Sequence, residues 1–114
     1  MNNSVKNPIT AQSFMLRTEN GSWLGQIVLT SDGMFAAVTD WGNITFAWRA
    51  WGEKPFPEFL CSLDTQYFAG KMRMGISDFS PRTKQTENQC NRFAEKILPA
   101  LQKAIKEQIN QPAA

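Results

Sequence analysis

Histidine is absent from this 114-residue sequence. That absence removes the commonest general base, the commonest transition-metal ligand and the usual partner of a serine or cysteine nucleophile. The phosphate-binding GxxxxGK[ST], dinucleotide-binding GxGxxG and hydrolase GxSxG patterns are missing as well, so nucleotide-dependent and serine-hydrolase readings lose the loops they require. Cysteine is scarce: Cys61 and Cys90 stand far apart without CxxC or Cys/His context, and both read as buried thiols rather than a disulfide or metal ligands. No clustered acidic loop of the calcium-binding kind occurs. These absences predict a protein that is not an enzyme and needs no cofactor or metal.

Charge of either sign is also sparse. Twelve basic against ten acidic residues leave a formal charge of +2, too little for a strong electrostatic footprint of nucleic acid or anionic lipid. No stretch approaches the roughly 18 apolar residues of a membrane span. Met1 to Gln12 lacks the basic start and apolar run of a signal peptide. A soluble, cytoplasmic protein is expected. A hydrophobic content of 42% is that of a globular chain, and the length suits one domain with its own core. That domain should span 13–109, between a flexible polar lead-in, 1–12, and a loose tail, 110–114.

What the sequence does have is concentrated between Phe14 and Trp51, where all four tryptophans lie among Asn20-Gly21, Asp32-Gly33 and Trp41-Gly42-Asn43. Asn-Gly and Asp-Gly supply the positive φ angles of tight hairpin turns. Strands are expected at about 13–19, 22–31, 34–40 and 44–51. The fold class is therefore α+β: a four-stranded antiparallel meander in order 1-2-3-4, followed by helices packed on one face.

Residues paired across an antiparallel ladder share a face. With Asn20-Gly21 and Asp32-Gly33 as two-residue loops, Phe14 faces Ile27 and Ile27 faces Val38. Phe14, Leu16, Trp23, Ile27, Leu29, Ala36 and Val38 then form the core surface. Adding Ile44, Phe46 and Trp48 to it requires an odd third connection, a three-residue Trp41-Gly42-Asn43 loop with Asn43 left-handed and a local bulge. The opposite, mixed face would carry Met15, Arg17, Leu24, Gln26, Val28, Thr30, Phe35, Ala37, Thr39, Thr45, Ala47, Arg49 and Trp51.

After Gly52, Phe56, Phe59, Leu60 and Leu63 have helical spacing, with Pro55 or Pro57 in the first turn. Asp64 is placed to cap a second helix bearing Tyr67, Phe68 and Met72 and ending before Gly75, one bent helix over 56–73 being the alternative. Gly75 to Thr83, with Ser80-Pro81, reads as a loop with a short extended piece around Ile76. Phe93, Ile97, Leu101, Ile105 and Ile109 mark a last amphipathic helix. Thr86 and Gln89 have the spacing of a capping box, and Pro99 should kink or break the helix near Leu98.

Few residues here suggest chemistry. Asp32 and Asp40 precede turns and read as local backbone partners. Trp48-Arg49-Ala50-Trp51 has the aromatic and basic mix of a single-stranded nucleic-acid platform, and Lys71, Arg73, Arg82, Lys84 and Arg92 form a looser basic stretch. Core packing and a solvated face account for both. The residues selected for a partner surface are Arg17, Leu24, Gln26, Phe35, Trp41, Asn43, Arg49 and Trp51.

Trp23-Leu24-Gly25-Gln26-Ile27, Asp32-Gly33-Met34-Phe35, Thr39-Asp40-Trp41-Gly42-Asn43, Phe59-Leu60, Tyr67-Phe68 and Lys71 carry a resemblance. Over about 13–73 the chain resembles small phage and prophage accessory proteins with a pattern of W-G-x-I, D-x-x-G-x-F and S-D-[YW]-G-N; Thr39 stands in the place of that Ser. The resemblance transfers no catalytic residue. It implies a mobile-element setting, in which such folds bind a bacterial host protein in the host cytoplasm, antagonism of a defence system such as CRISPR being one such role. A nucleic-acid-binding accessory protein and a self-associating assembly protein are the alternatives.

Overall fold

A computed structural model describes residues 8–76 and 84–110. Four strands, β1 (Ala11–Arg17), β2 (Trp23–Thr30), β3 (Met34–Thr39) and β4 (Gly42–Ala47), form one antiparallel sheet in the order β1-β2-β3-β4. Three helices follow: α1 (Phe56–Leu60), α2 (Thr65–Ile76) and α3 (Lys84–Ile109). The expected meander with helices on one face is the observed fold. Strand β1 begins within the expected lead-in, at Ala11, and β4 stops at Ala47, so Arg49 and Trp51 lie beyond it. Residues 1–7, 77–83, where a loop around Ser80-Pro81 is expected and Arg82 lies, and 111–114 fall outside the described residues.

Phe14 pairs with Ile27 as expected, but the first connection is Glu19-Asn20-Gly21 rather than Asn20-Gly21 alone, since Thr18 N–H donates to Ser22 O at 2.8 Å and Gly21 N–H to Thr18 O at 2.9 Å; an extra residue in β2 restores the register. Two later connections differ in length from the sequence expectation, and their effects on β4 cancel. Ile27 pairs with Ala37 and Leu29 with Phe35, so the β2–β3 loop is Ser31-Asp32-Gly33 rather than Asp32-Gly33 alone. Gly33 donates to Thr30 O at 3.1 Å with φ of 99°, a type I turn closed by a glycine bulge. The Thr30 hydroxyl bonds the Asp32 carboxylate and accepts from Met34 N–H at 3.0 Å, which holds the extra residue in place. Phe35 and Ala37 consequently face the core, and Ala36 and Val38 turn outward. Thr39 pairs with Gly42, leaving a two-residue Asp40-Trp41 loop instead of the expected Trp41-Gly42-Asn43 loop. Gly42 takes φ of 137°, and no described non-glycine residue has positive φ, so Asn43 is not left-handed. Two changes of parity return Ile44 and Trp48 to the core, with Phe46 packed partly buried against it.

A third departure is a bulge in β2 opposite Leu16 and Arg17: Leu16 pairs with Gly25 but Arg17 pairs with Trp23, which leaves Leu24 as the extra residue. Leu24 is thereby rotated into the core and Trp23 out of it.

The core lies between the sheet and the helices and is rich in aromatic pairs. Phe35 meets Phe68 edge-on at 5.4 Å and Phe93 at 6.4 Å, while Trp48 packs on Phe46 at 4.8 Å and on Phe56 at 5.7 Å. Such pairs are worth about 0.5–1.5 kcal/mol beyond their burial. Asp64 caps α2 as expected, its carboxylate accepting from Tyr67 N–H at 2.7 Å. Helix α2 runs through Gly75 to Ile76 instead of ending before it, because the bare Cα of Gly75 lies directly against the Thr45 carbonyl, where any side chain would collide. α3 is continuous through Pro99, which is exposed; the buried Ile97, Leu98, Leu101 and Ile105 around it offset the missing hydrogen bond. Gln89 is no capping partner: its Nε2 crosses to Trp41 O at 3.2 Å, and Thr86 already lies inside α3. The Gln102 amide bonds Leu60 O and Leu63 O at 3.0 and 2.9 Å, satisfying carbonyls at the end of α1.

Candidate functional site

The side of the sheet away from the helices is built from rows that cross all four strands. One row is Ser13, Val28, Ala36 and Thr45; the next is Met15, Gln26, Val38 and Asn43. Arg17 and Trp23 lie beyond the second row, Met34 and Ala47 beyond the first. Met15 and Val38 are 51% and 55% exposed and Met34 is 43% exposed, so these apolar side chains stand in water. Arg17 is the one charged residue in these rows.

Local bonds fix several of these side chains. The Trp23 indole N–H points at Met15 Sδ at 3.0 Å, and the Gln26 amide donates to Ser13 Oγ at 3.2 Å. Arg17 Nη1 donates to Gly21 O at 3.2 Å, which ties the guanidinium to the first hairpin and leaves its other donors free. An apolar centre, an aromatic side chain, methionines and a single arginine at the margin are the residue types enriched in protein interfaces.

Of the residues selected from the sequence, Arg17, Gln26 and Asn43 lie on this face. Trp41, half-buried, is in the Asp40-Trp41 turn at its margin. Two selections are corrected outright: Phe35 is 0% exposed and Leu24 is 8% exposed, both in the core. Trp51 is not on a strand. Its ring packs on Phe56 at 5.1 Å and over Gly33, and its indole N–H donates to Lys54 O at 2.8 Å. Arg49 is exposed beyond the end of β4. The residues missed were Trp23, Met34 and Val38, all displaced by the register changes. The signal that could have found Met34 and Val38 is Thr30 ahead of Ser31-Asp32-Gly33, whose hydroxyl can hold a three-residue turn; Trp23 is turned outward by the bulge at Leu24 instead.

Trp41 and Asn43 also border an open polar cleft of about 600 Å³ between the β3–β4 turn and the first turns of α3, opposite Gln85, Gln89 and Arg92. The basic stretch is dispersed. Arg73 is paired with Glu87 at 2.8 Å, and Lys71 lies over the Phe46 and Tyr67 rings. Cys61 and Cys90 are free, and burial raises both thiol pKa values, so both are protonated near neutral pH. Among the described residues no group of three or more His, Cys, Asp or Glu is placed to hold a metal, and no helix is long and apolar enough to cross a membrane.

The model of a phage family, Phage_phiTE_072, matches residues 4–86, a span that contains the whole sheet, α1 and α2. The chain belongs to this phage family. The match takes in every row of the open sheet face and stops in the first turn of α3. Nothing among the curated proteins or the solved structures matches the chain of this phage-family member.

Proposed function

We propose that this phage-family protein is a non-enzymatic accessory module that binds a bacterial host protein through the open face of its sheet. The observation that carries the reading is the nearly uncharged outer surface on which Met15, Met34 and Val38 stand exposed with Trp23 beside them. Contiguous apolar surface of this kind marks interaction sites in proteins that otherwise keep such side chains inside. Arg17 at the margin supplies an orienting charge, and the polar Asp40-Trp41 turn lies at the opposite end of the second row.

The test is affinity purification from a bacterial host, followed by identification of the captured protein and repetition with Met34→Glu/Val38→Glu. Loss of the captured protein, with an unchanged thermal transition, is the expected result. Equal capture by the variant removes this face from the function. Components of defence systems such as CRISPR complexes are the first host proteins to compare with the captured one.

A further inference from the structure

The sheet has two edges, and they are finished differently. At β4, Trp48 N–H donates to Gly33 O at 2.8 Å; with the β3–β4 register, Ile44 and Phe46 bond β3 while Thr45 turns its N–H and C=O outward. The backbone of Gly75 lies against that outward carbonyl, so α2 covers this edge. At β1, Ser31 N–H donates to Thr10 O at 2.8 Å. The same alternation has Gln12, Phe14 and Leu16 bonding β2, while Ala11, Ser13 and Met15 turn their main-chain groups away from the sheet. Among the described residues nothing bonds those outward groups.

Exposed edges are ordinarily protected by charge, proline, bulges or brevity. From Ile9 to Leu16 this strand has no charged residue and no proline, and the one bulge beside it comes at its far end, where β2 carries the extra Leu24 opposite Leu16 and Arg17. We propose that β1 pairs with β1 of a second copy of this chain, antiparallel about a two-fold axis at Ser13. Ser13 then exchanges both main-chain bonds with the partner's Ser13, and Ala11 does the same with the partner's Met15 on either side of the axis. The strand is self-complementary in charge: Arg17 falls opposite the partner's uncharged Ile9, and no like charges meet. Pairing also shields Ile9 and Met15, which are 62% and 51% exposed in the single chain.

Sedimentation of the full chain across a concentration series should show a monomer–dimer equilibrium. Ser13→Lys sets like charges directly opposite each other and should raise the dimer dissociation constant about tenfold or more, with the monomer fold unchanged by circular dichroism. Ser13→Cys should form a disulfide-linked dimer on mild oxidation, since opposed residues of a hydrogen-bonded pair have Cα atoms about 5.5 Å apart. Thr45→Cys, on the covered edge, should remain uncrosslinked. A monomer at every concentration without Ser13→Cys crosslinking, a dimer that Ser13→Lys leaves intact, or a β1 edge that pairs only with a different protein overturns the proposal. These substitutions lie on β1, and the host-binding test uses β3, so either idea can fail without the other.

Discussion

The two faces of the sheet come from the same four strands, and apolar residues occur on both. On the covered face Ile27, Phe35 and Ile44 lose essentially all contact with water beneath Phe68 and Phe93. On the open face Met15, Met34 and Val38 keep about half of theirs. Side-chain type does not separate the groups: Val38 and Ala37 are neighbours in one strand, and only the pleat sends one out and the other in. An apolar residue here is structural or available to a partner according to its parity in the ladder, and parity is decided in the connections.

The largest effect that can break this contrast is expected from Phe35→Ala, which should cost about 3–5 kcal/mol in urea denaturation because it removes a buried ring that two others contact edge-on. Leu24→Ala should follow, at about 2–5 kcal/mol. If either variant lost partner binding with unchanged stability, the register would be wrong. Gly75→Ala, which forces a methyl group against the Thr45 carbonyl, should cost about 1–3 kcal/mol and loosen α2 from the β4 edge, visible as faster amide exchange in β4. Met34→Glu/Val38→Glu should change stability least, within about 0.5 kcal/mol per substitution, while removing the captured host protein.

A final, small contrast concerns pH. Burial raises the Cys90 thiol pKa, so the unfolded chain ionises this group first. Its contribution to stability is present below the ordinary thiol pKa and declines as alkaline pH rises through the folded value. Cys90→Ala should flatten that alkaline slope in a pH series of urea midpoints.

Much of the fold was legible because it rests on local chemistry. Alternating polarity between Asn-Gly and Asp-Gly marked the hairpins and Asp64 announced α2, while Phe14 stands opposite Ile27 only because the longer Glu19-Asn20-Gly21 turn is offset by the extra Leu24. The site was only partly legible. Arg17 and Gln26 were placed on the open face, but Asn43 was assigned to a loop, and Leu24, Phe35 and Trp51 were misassigned to that face. Asp32-Gly33 serves a two-residue loop as readily as the last part of a three-residue one, and each added residue inverts the next strand.

The sequence by itself determined the four-strand meander, the helices after it and the amphipathic stripe of α3, since turn chemistry and hydrophobic period act over a few residues. Tertiary structure decided which face each residue occupies. Gly33 is held beneath the Trp48 carbonyl and the Trp51 ring, Gly75 against Thr45, and Gln89 against the Trp41 carbonyl. Those contacts join segments distant in the chain, and their steric fit chooses among turns that local propensity leaves nearly equal in energy.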